Sequence, residues 1–169
     1  KAGLECYQQG NLEAAEKKFR QVILGDSTNI HGLNLLGMVC VNTGRHEEAV
    51  QLITQALKIN PTDAQAQGNL GLAYQRMGNQ ALAERSFRTS IEIGAKTPTI
   101  FNSLGNVLRE SGRASEAVKV YESTLKVDGN YAECWTNLSK ALVDMGEFGR
   151  AFQAVSRALQ IDPSLPEAH

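Results

Sequence analysis

Few side chains in this sequence could bind a metal, react as a nucleophile or move a proton, and they are widely spaced. No two cysteines form a Cys-x-x-Cys pair, and the histidines are scattered instead of grouped at the spacing of metal ligands. The residues concerned are Cys6, Cys40, Cys134, His31, His46 and His169. We therefore expect no metal site and no cofactor, and we interpret the cysteines as reduced side chains that pack in the core.

Three short motifs resemble functional sites but have structural explanations. Residues 68–71 (Gly-Asn-Leu-Gly) resemble part of a phosphate-binding loop, yet no strand precedes them. Residues 46–48 (His-Glu-Glu) lack the second histidine of a zinc protease motif, and the glycosylation sequon at 137–139 is expected inside a helix. No Ser/His/Asp or Cys/His arrangement stands on a conspicuous loop, so the sequence predicts no enzyme.

Charge and hydropathy exclude further classes of partner. The chain carries 17 basic and 18 acidic residues, a net charge of −1, so no global field attracts nucleic acid or an anionic membrane. No apolar run approaches the roughly 20 residues of a membrane span, and no signal-peptide pattern begins the sequence. We expect no nucleic-acid binding and no membrane insertion, and the unpaired cysteines favour a reducing, cytoplasmic location.

The sequence has an internal repeat of 34 residues, and this repeat determines where its side chains are placed. Glycine recurs at this spacing, and an alanine follows each glycine by five residues. The glycines are Gly10, Gly44, Gly78, Gly112 and Gly146, and the alanines are Ala15, Ala49, Ala83, Ala117 and Ala151. A fixed period of this length means that each unit buries its apolar face mainly against its neighbours.

Within each unit, small and apolar residues mark two helical faces. If the glycine is given repeat position 15, positions 4, 7, 8 and 11 share one helix face, and positions 20, 24, 27 and 28 share another. Each unit is therefore predicted to form two antiparallel helices, A and B, and no strands are expected. The small residues at positions 8 and 20 are expected where the two backbones approach closely, and the glycine suits the left-handed end of helix A.

Capping signals predict where the helices begin. Asp63 and Thr97 are expected N-caps, and Pro98 is expected in the first turn of the helix that follows Thr97. In the same way, Pro166 after Leu165 is expected in the first turn of a further helix. The predicted helices are 13–24, 30–43, 46–59, 64–77, 80–93, 98–111, 114–127, 132–145 and 148–161. The sequence begins within a predicted helix A and ends as another begins, at 166–169, so we expect a fragment of a longer protein.

These columns resemble the tetratricopeptide repeat (TPR) family, with proline near repeat position 32 at Pro61 and Pro163. The resemblance covers essentially the whole chain. It implies an all-α fold, a right-handed α-solenoid of antiparallel helix pairs forming one domain over 1–169. The five repeats would be approximately 1–29, 30–63, 64–97, 98–131 and 132–165.

The resemblance also implies a concave groove lined by the A helices, in which TPR proteins bind peptides or partner segments. Its contact positions carry an apolar patch in repeats 1 to 3 and a polar patch in repeats 3 to 5. The apolar candidates are Leu4, Tyr7, Met38, Val41 and Leu72, and the polar candidates are Asn69, Gln75, Arg76, Asn102, Asn106, Arg109, Asn137 and Lys140. Alternatively, the apolar patch packs within the solenoid or on a further repeat.

Three functions are compatible with these residues. The first is a protein-interaction scaffold that binds a peptide or partner helix in the groove. The second is the substrate-recognition arm of a larger enzyme, resembling O-linked glycosyltransferases or sulfotransferases, whose catalytic domain lies outside this sequence. The third is self-association through the ends of the solenoid, since Trp135, Phe148 and Phe152 all lie in the last repeat.

Overall fold

The structure, a computed structural model, describes residues 2–165, and within them it contains ten α-helices and no strand. The helices are α1 (Ala2–Gln8), α2 (Leu12–Gly25), α3 (Ile30–Asn42), α4 (His46–Ile59), α5 (Ala64–Arg76), α6 (Gln80–Ile93), α7 (Pro98–Glu110), α8 (Ala114–Val127), α9 (Ala132–Asp144) and α10 (Phe148–Ile161). The all-α prediction is confirmed. Residue 1 and the further helix expected at 166–169 lie outside the described residues.

The observed helix bounds follow the predicted repeat closely. All four B helices predicted between 46 and 161 have the predicted bounds, and each predicted A helix ends one residue earlier than expected. The difference arises because the last residue of each predicted A helix is its C-cap, for example Thr43 after α3. The first described helix, α1, belongs to the A helix in which the sequence begins.

A glycine ends each A helix in the left-handed conformation. The φ angles are 75° at Gly10, 79° at Gly44, 73° at Gly78, 76° at Gly112 and 76° at Gly146. After α3, the Gly44 N–H donates to the Val41 carbonyl (3.3 Å) and the Arg45 N–H to the Cys40 carbonyl (2.8 Å). This is a Schellman turn, and it satisfies carbonyls that the helix end would leave unpaired.

Side-chain caps begin several of the helices. Asp63 Oδ1 accepts from the Ala66 N–H at 3.0 Å, which confirms the predicted cap of α5. Thr97 is the N-cap of α7 with Pro98 in its first turn, as predicted, although its side chain makes no capping hydrogen bond. The predicted cap before Pro166 adjoins a residue outside the described range.

The small residue at position 8 accommodates a bulky side chain from helix B of the same pair. A Cβ added to Gly71 would lie 2.7 Å from the ring of Phe87, and one added to Gly105 would lie 2.4 Å from Tyr121 Cε1. The glycines were expected to let two backbones approach, whereas the main contact is between a glycine and a side chain. Both Phe87 and Tyr121 are fully buried as a result.

The chain divides into two compact units, one up to Ala95 and one from Lys96 onward. In the first, helices pair as α1 with α2, α3 with α4 and α5 with α6, and in the second as α7 with α8 and α9 with α10. The expectation of a single domain over 1–169 stays a prediction. None of the described helices is both long and apolar enough to cross a bilayer.

Candidate functional site

Neighbouring A helices within each unit lie side by side, so that residues 35 apart in sequence meet. Asn69 Nδ2 donates to Asn34 Oδ1 at 2.9 Å, which joins α5 to α3. Asn137 Nδ2 donates to Asn102 Oδ1 at 3.2 Å, which joins α9 to α7 in the same way. The two pairs occupy positions 5 and 6 of successive repeats, so the same amide contact links A helices in both units.

These amides are buried and already bonded within the protein. The exposed fractions are 5% for Asn69, 2% for Asn102 and 8% for Asn137. Asn69 Oδ1 also accepts from Gln65 Nε2 at 3.2 Å, and Asn102 Nδ2 also donates to Glu133 Oε1 at 3.2 Å. The asparagines therefore form polar contacts between helices, where buried amides need hydrogen-bond partners.

A second set of contacts links the C-terminal ends of neighbouring A helices, α1 with α3 and α7 with α9. Asn42 Nδ2 donates to the Tyr7 hydroxyl at 2.8 Å, and Arg109 Nη1 contacts Asp144 Oδ2 at 3.2 Å. Both pairs again join residues 35 apart, at repeat positions 12 and 13. Tyr7 and Arg109 are thus each held in place on the surface that the A helices of their own unit share, which we call the A face of that unit.

The apolar candidates on the A face of the first unit differ in exposure. Leu4 is 41% exposed, whereas Met38, Leu72 and Tyr7 are half-buried. Val41 is only 6% exposed and packs in a core cluster with Phe19, so the structure does not place it on the surface. Four of the five apolar candidates therefore remain accessible.

The polar candidates that are not paired asparagines lie nearer to solvent. In the first unit Gln75 is half-buried and Arg76 is exposed. In the second, Asn106, Arg109 and Lys140 are half-buried, and Asn106 Oδ1 accepts from the Tyr121 hydroxyl at 2.6 Å. This hydrogen bond ties the A face to helix α8 behind it.

Sequence reasoning missed Asn34 as a candidate. Asn34 is 6% exposed and accepts the hydrogen bond from Asn69. It occupies repeat position 5, the position held by Asn102, which the sequence did single out. Comparison of that column between repeats would have found it.

The cysteines pack as core residues in two cases of three. Cys40 and Cys134 are fully buried, and burial raises the pKa of the Cys40 thiol to about 11 and that of Cys134 to about 12. Cys6, expected to be buried in the same column as Cys40, is only half-buried at the edge of the core cluster. Within residues 2–165 no group of three potential ligands could hold a metal ion.

The B helices carry ion pairs that join successive repeats with opposite polarity. In the first unit Arg20 of α2 contacts Glu48 of α4 at 2.6 Å. In the second, Glu122 of α8 contacts Arg150 of α10, also at 2.6 Å. Each pair joins repeat position 25 to position 19 of the next repeat, with the acid and the base exchanged.

Glu16 forms a bidentate ion pair with Arg45 in the first unit. Arg45 Nη1 and Nη2 donate to its two carboxylate oxygens at 2.8 Å and 2.6 Å, and Arg20 Nε adds a third hydrogen bond at 2.9 Å. The hydrogen bonds from Arg45, reinforced by Arg20, lower the pKa of Glu16 to about 2. The carboxylate is therefore charged over most of the pH range.

Comparison with known sequences and structures agrees with this geometry. Two family profiles described as tetratricopeptide repeat match residues 28–96 and 108–169. No curated protein matches the chain.

Several solved structures are similar to the chain over nearly its whole length. A crystal structure of MamA has a TM-score of 0.81 at 20% identity, covering 96% of this chain and 95% of that chain. TTC0263 from Thermus thermophilus, described as a thermophilic TPR protein, has a TM-score of 0.83 at 16% identity, covering 98% and 91%. YrrB, described as a TPR protein with an unusual peptide-binding site, has a TM-score of 0.77 at 18% identity, covering 98% and 86%. At these identities the likeness shows the fold.

Proposed function

Since this chain belongs to the tetratricopeptide repeat family, we propose that it is an interaction scaffold that binds an extended peptide or partner segment on the A face. The observation that carries the proposal is the placement of half-buried side chains above hydrogen bonds that join neighbouring A helices. Arg109 is held by Asp144 and Tyr7 by Asn42, so part of the surface is ordered before a ligand arrives. Such order reduces the entropy lost on binding.

The two units offer different chemistry. In the first, the accessible apolar candidates would receive an aliphatic or aromatic anchor; they are Leu4, Tyr7, Met38 and Leu72. In the second, Arg109 and Lys140 would favour acidic side chains of a ligand. Each unit therefore has its own preferred peptide composition.

The asparagines have a supporting part in this proposal. Because Asn69, Asn102 and Asn137 are at least nine-tenths buried and bonded between helices, they mainly hold the A helices in register. An amide has more hydrogen-bonding sites than one neighbour uses. We propose that the remaining sites meet the peptide backbone at the edge of the A face.

In this proposal the chain binds a partner and catalyses no reaction. It functions in a reducing compartment such as the cytoplasm. Cys40 and Cys134 support the compartment because both are free thiols in the core. A free thiol in the core packs as a small apolar side chain. Because disulfides form and persist in oxidising compartments, unpaired thiols favour a reducing one.

The test uses linear peptides selected on the chain from a random library. Affinity for the selected peptides is measured at low and high salt for Arg109→Ala with Lys140→Ala, and separately for Met38→Ala. The double variant should weaken binding about five- to tenfold at low salt and less at high salt, because exposed charge pairs are screened. Met38→Ala should weaken binding of apolar peptides roughly tenfold at either salt concentration, because apolar burial is not screened.

Two variants on helix B serve as matched controls. Lys119→Ala removes an exposed cation of α8, and Leu24→Ala removes an apolar side chain of α2 that is 86% exposed. Neither should change peptide affinity. Loss of affinity in these controls, with none in the A-face variants, would show that peptides bind to the B helices and would refute the proposal.

A further inference from the structure

The second unit has an open groove on the side of α9 that faces away from the A face. The groove has a volume of about 650 Å³ and runs between α8 and α10, with α9 beneath it. Leu138 and Leu142 of α9 line it, whereas Lys140 lies on the opposite side of the same helix, as the helical period requires. The groove is therefore a surface separate from the proposed peptide site.

The floor of the groove differs at one position from the equivalent part of the third repeat. In the first unit, Tyr74 at repeat position 11 packs against Leu57 and Leu70, which hold positions 28 and 7. The corresponding residues beside the groove are Leu125 and Leu138, but position 11 is Leu142. Leu142 is shorter than tyrosine, is only 1% exposed and lies at the floor of the groove.

The rim of the groove carries an excess of positive charge. Arg150 lies between Glu122 and Glu147 and is neutralised by them. Lys126 and Arg157 also line the groove, but no ion pair involves either of them within residues 2–165, and Arg157 donates to the neutral side chain of Gln160 at 3.2 Å. The residues that line the groove thus include three cations, Lys126, Arg150 and Arg157, and one carboxylate, Glu122, so the rim keeps a net positive charge beside the apolar floor.

We propose that this groove is a second docking site, and that its occupant is an acidic segment of a partner protein that inserts a bulky aliphatic side chain. The aliphatic side chain would occupy the space above Leu138, Leu142 and Ala154. Carboxylates on either side of it would pair with Lys126 and Arg157. The chain would then bind partners on both sides of α9.

The groove contains its own spectroscopic reporter. Trp135 lines it and is the single tryptophan of the sequence. Its ring is half-buried, and Nε1 donates to the Gly129 carbonyl at 2.9 Å, which fixes its orientation. A ligand that displaces water from this ring changes its emission, whereas a peptide bound on the A face does not touch it.

The experiment is a titration of the chain with short blocked peptides, followed by tryptophan emission. The probe has a central leucine between two acidic residues on each side, and its counterparts have lysines in place of the acids or alanine in place of leucine. The acidic leucine probe should give a saturable change in emission. The lysine and alanine counterparts should bind at least about fivefold more weakly, because each lacks one of the two features that the groove recognises.

Variants then locate the site. Leu142→Tyr supplies the residue found at this position in repeat 3 and should abolish the response by filling the groove. Because this core change could perturb folding, a second variant, Lys126→Glu with Arg157→Glu, alters only the rim and should reverse the preference towards the lysine peptide. The matched control is Lys58→Glu, at the position in repeat 2 equivalent to Lys126, which should leave the response unchanged.

Three results would overturn the proposal. The first is no change of emission up to the solubility limit of the acidic probe, and the second is an equal response to the lysine probe. The third is emission that depends on protein concentration without any probe, which would identify the occupant as a second copy of the chain. The exposed Phe148 and Phe152 of α10, 69% and 73% exposed, would supply such a contact.

Discussion

Substitution of Gly105 by alanine tests the contact between helices A and B most directly. A Cβ at this position would lie 2.4 Å from Cε1, 2.7 Å from Cζ and 2.8 Å from Cδ1 of Tyr121. Carbon atoms in favourable contact are about 3.5–4.0 Å apart, so the ring would have to retreat by about 1 Å. Tyr121 is fully buried and its hydroxyl is bonded to Asn106 at 2.6 Å, so the ring has little freedom to move.

The expected loss of stability combines two opposing effects. Overpacking of a core costs about 1–3 kcal/mol, and the rigid setting of Tyr121 places this site near the upper end. Alanine in a helix is more favourable than glycine by about 1 kcal/mol. The net loss is therefore about 2 kcal/mol, which lowers the urea midpoint by roughly 1 M for a typical slope.

Urea unfolding followed by circular dichroism measures the effect against two references. Gly149→Ala is the matched control, since no neighbouring atom lies within 4 Å of its added Cβ, and its midpoint should stay the same or rise. In a Tyr121→Leu background the clash is absent, so Gly105→Ala should become neutral or stabilising. An unchanged midpoint for Gly105→Ala alone, or the same loss in both backgrounds, would refute the assignment of the glycine to this contact.

Two further predictions concern ionisable groups. Cys40 and Cys134 should resist alkylation at pH 8 until the chain is unfolded, because burial raises the pKa of the thiols to about 11 and about 12 respectively. Half-buried Cys6 should react in the folded protein. Mass spectrometry after timed labelling distinguishes the three thiols, and rapid labelling of Cys40 in the folded protein would contradict its burial. Because Arg45 lowers the folded pKa of Glu16 to about 2, its stabilisation is complete above the unfolded pKa near 4.5 and is lost as pH falls towards 2. Glu16→Gln should therefore remove about 1 kcal/mol at neutral pH, after allowance for solvent screening, and flatten the acid limb of stability against pH; an unaltered limb would contradict the role of Glu16.

The sequence predicts the helices well because the signals that determine them are local. A glycine that must adopt a positive φ ends each A helix, and Asp63 and Thr97 begin helices where capping chemistry places them. Since these signals recur every 34 residues, each repeat reinforces the interpretation of the others. The predicted B helices from 46 onward consequently have the observed bounds.

The candidate site was less predictable, because a residue's position in the repeat does not specify which side chain of the next A helix it contacts. Asn69 and Asn137 are predicted ligand contacts, and the structure adds hydrogen bonds to Asn34 and Asn102, 35 residues earlier, that the sequence did not reveal. That offset depends on how A helices pack side by side, which the period alone does not reveal.

Burial also depends on how many helices surround a residue. Cys6 and Cys40 share a repeat position, yet α3 has α2, α4 and α5 around it, whereas α1 packs chiefly against α2. Cys40 is therefore enclosed and Cys6 is half-buried. Identical positions in a repeat thus have equal exposure only where their neighbours are also equivalent.

The reversed ion pairs of the B helices oppose certain exchanges of repeats in this chain. If the fifth repeat followed the first, Arg20 would face Arg150, and if the second followed the fourth, Glu122 would face Glu48. Both arrangements oppose like charges where the native order pairs opposite ones. Repeats of equal length invite exchange by recombination and stacking in the wrong order during folding. The opposite polarity of these two junctions gives them an order that their shared backbone geometry does not.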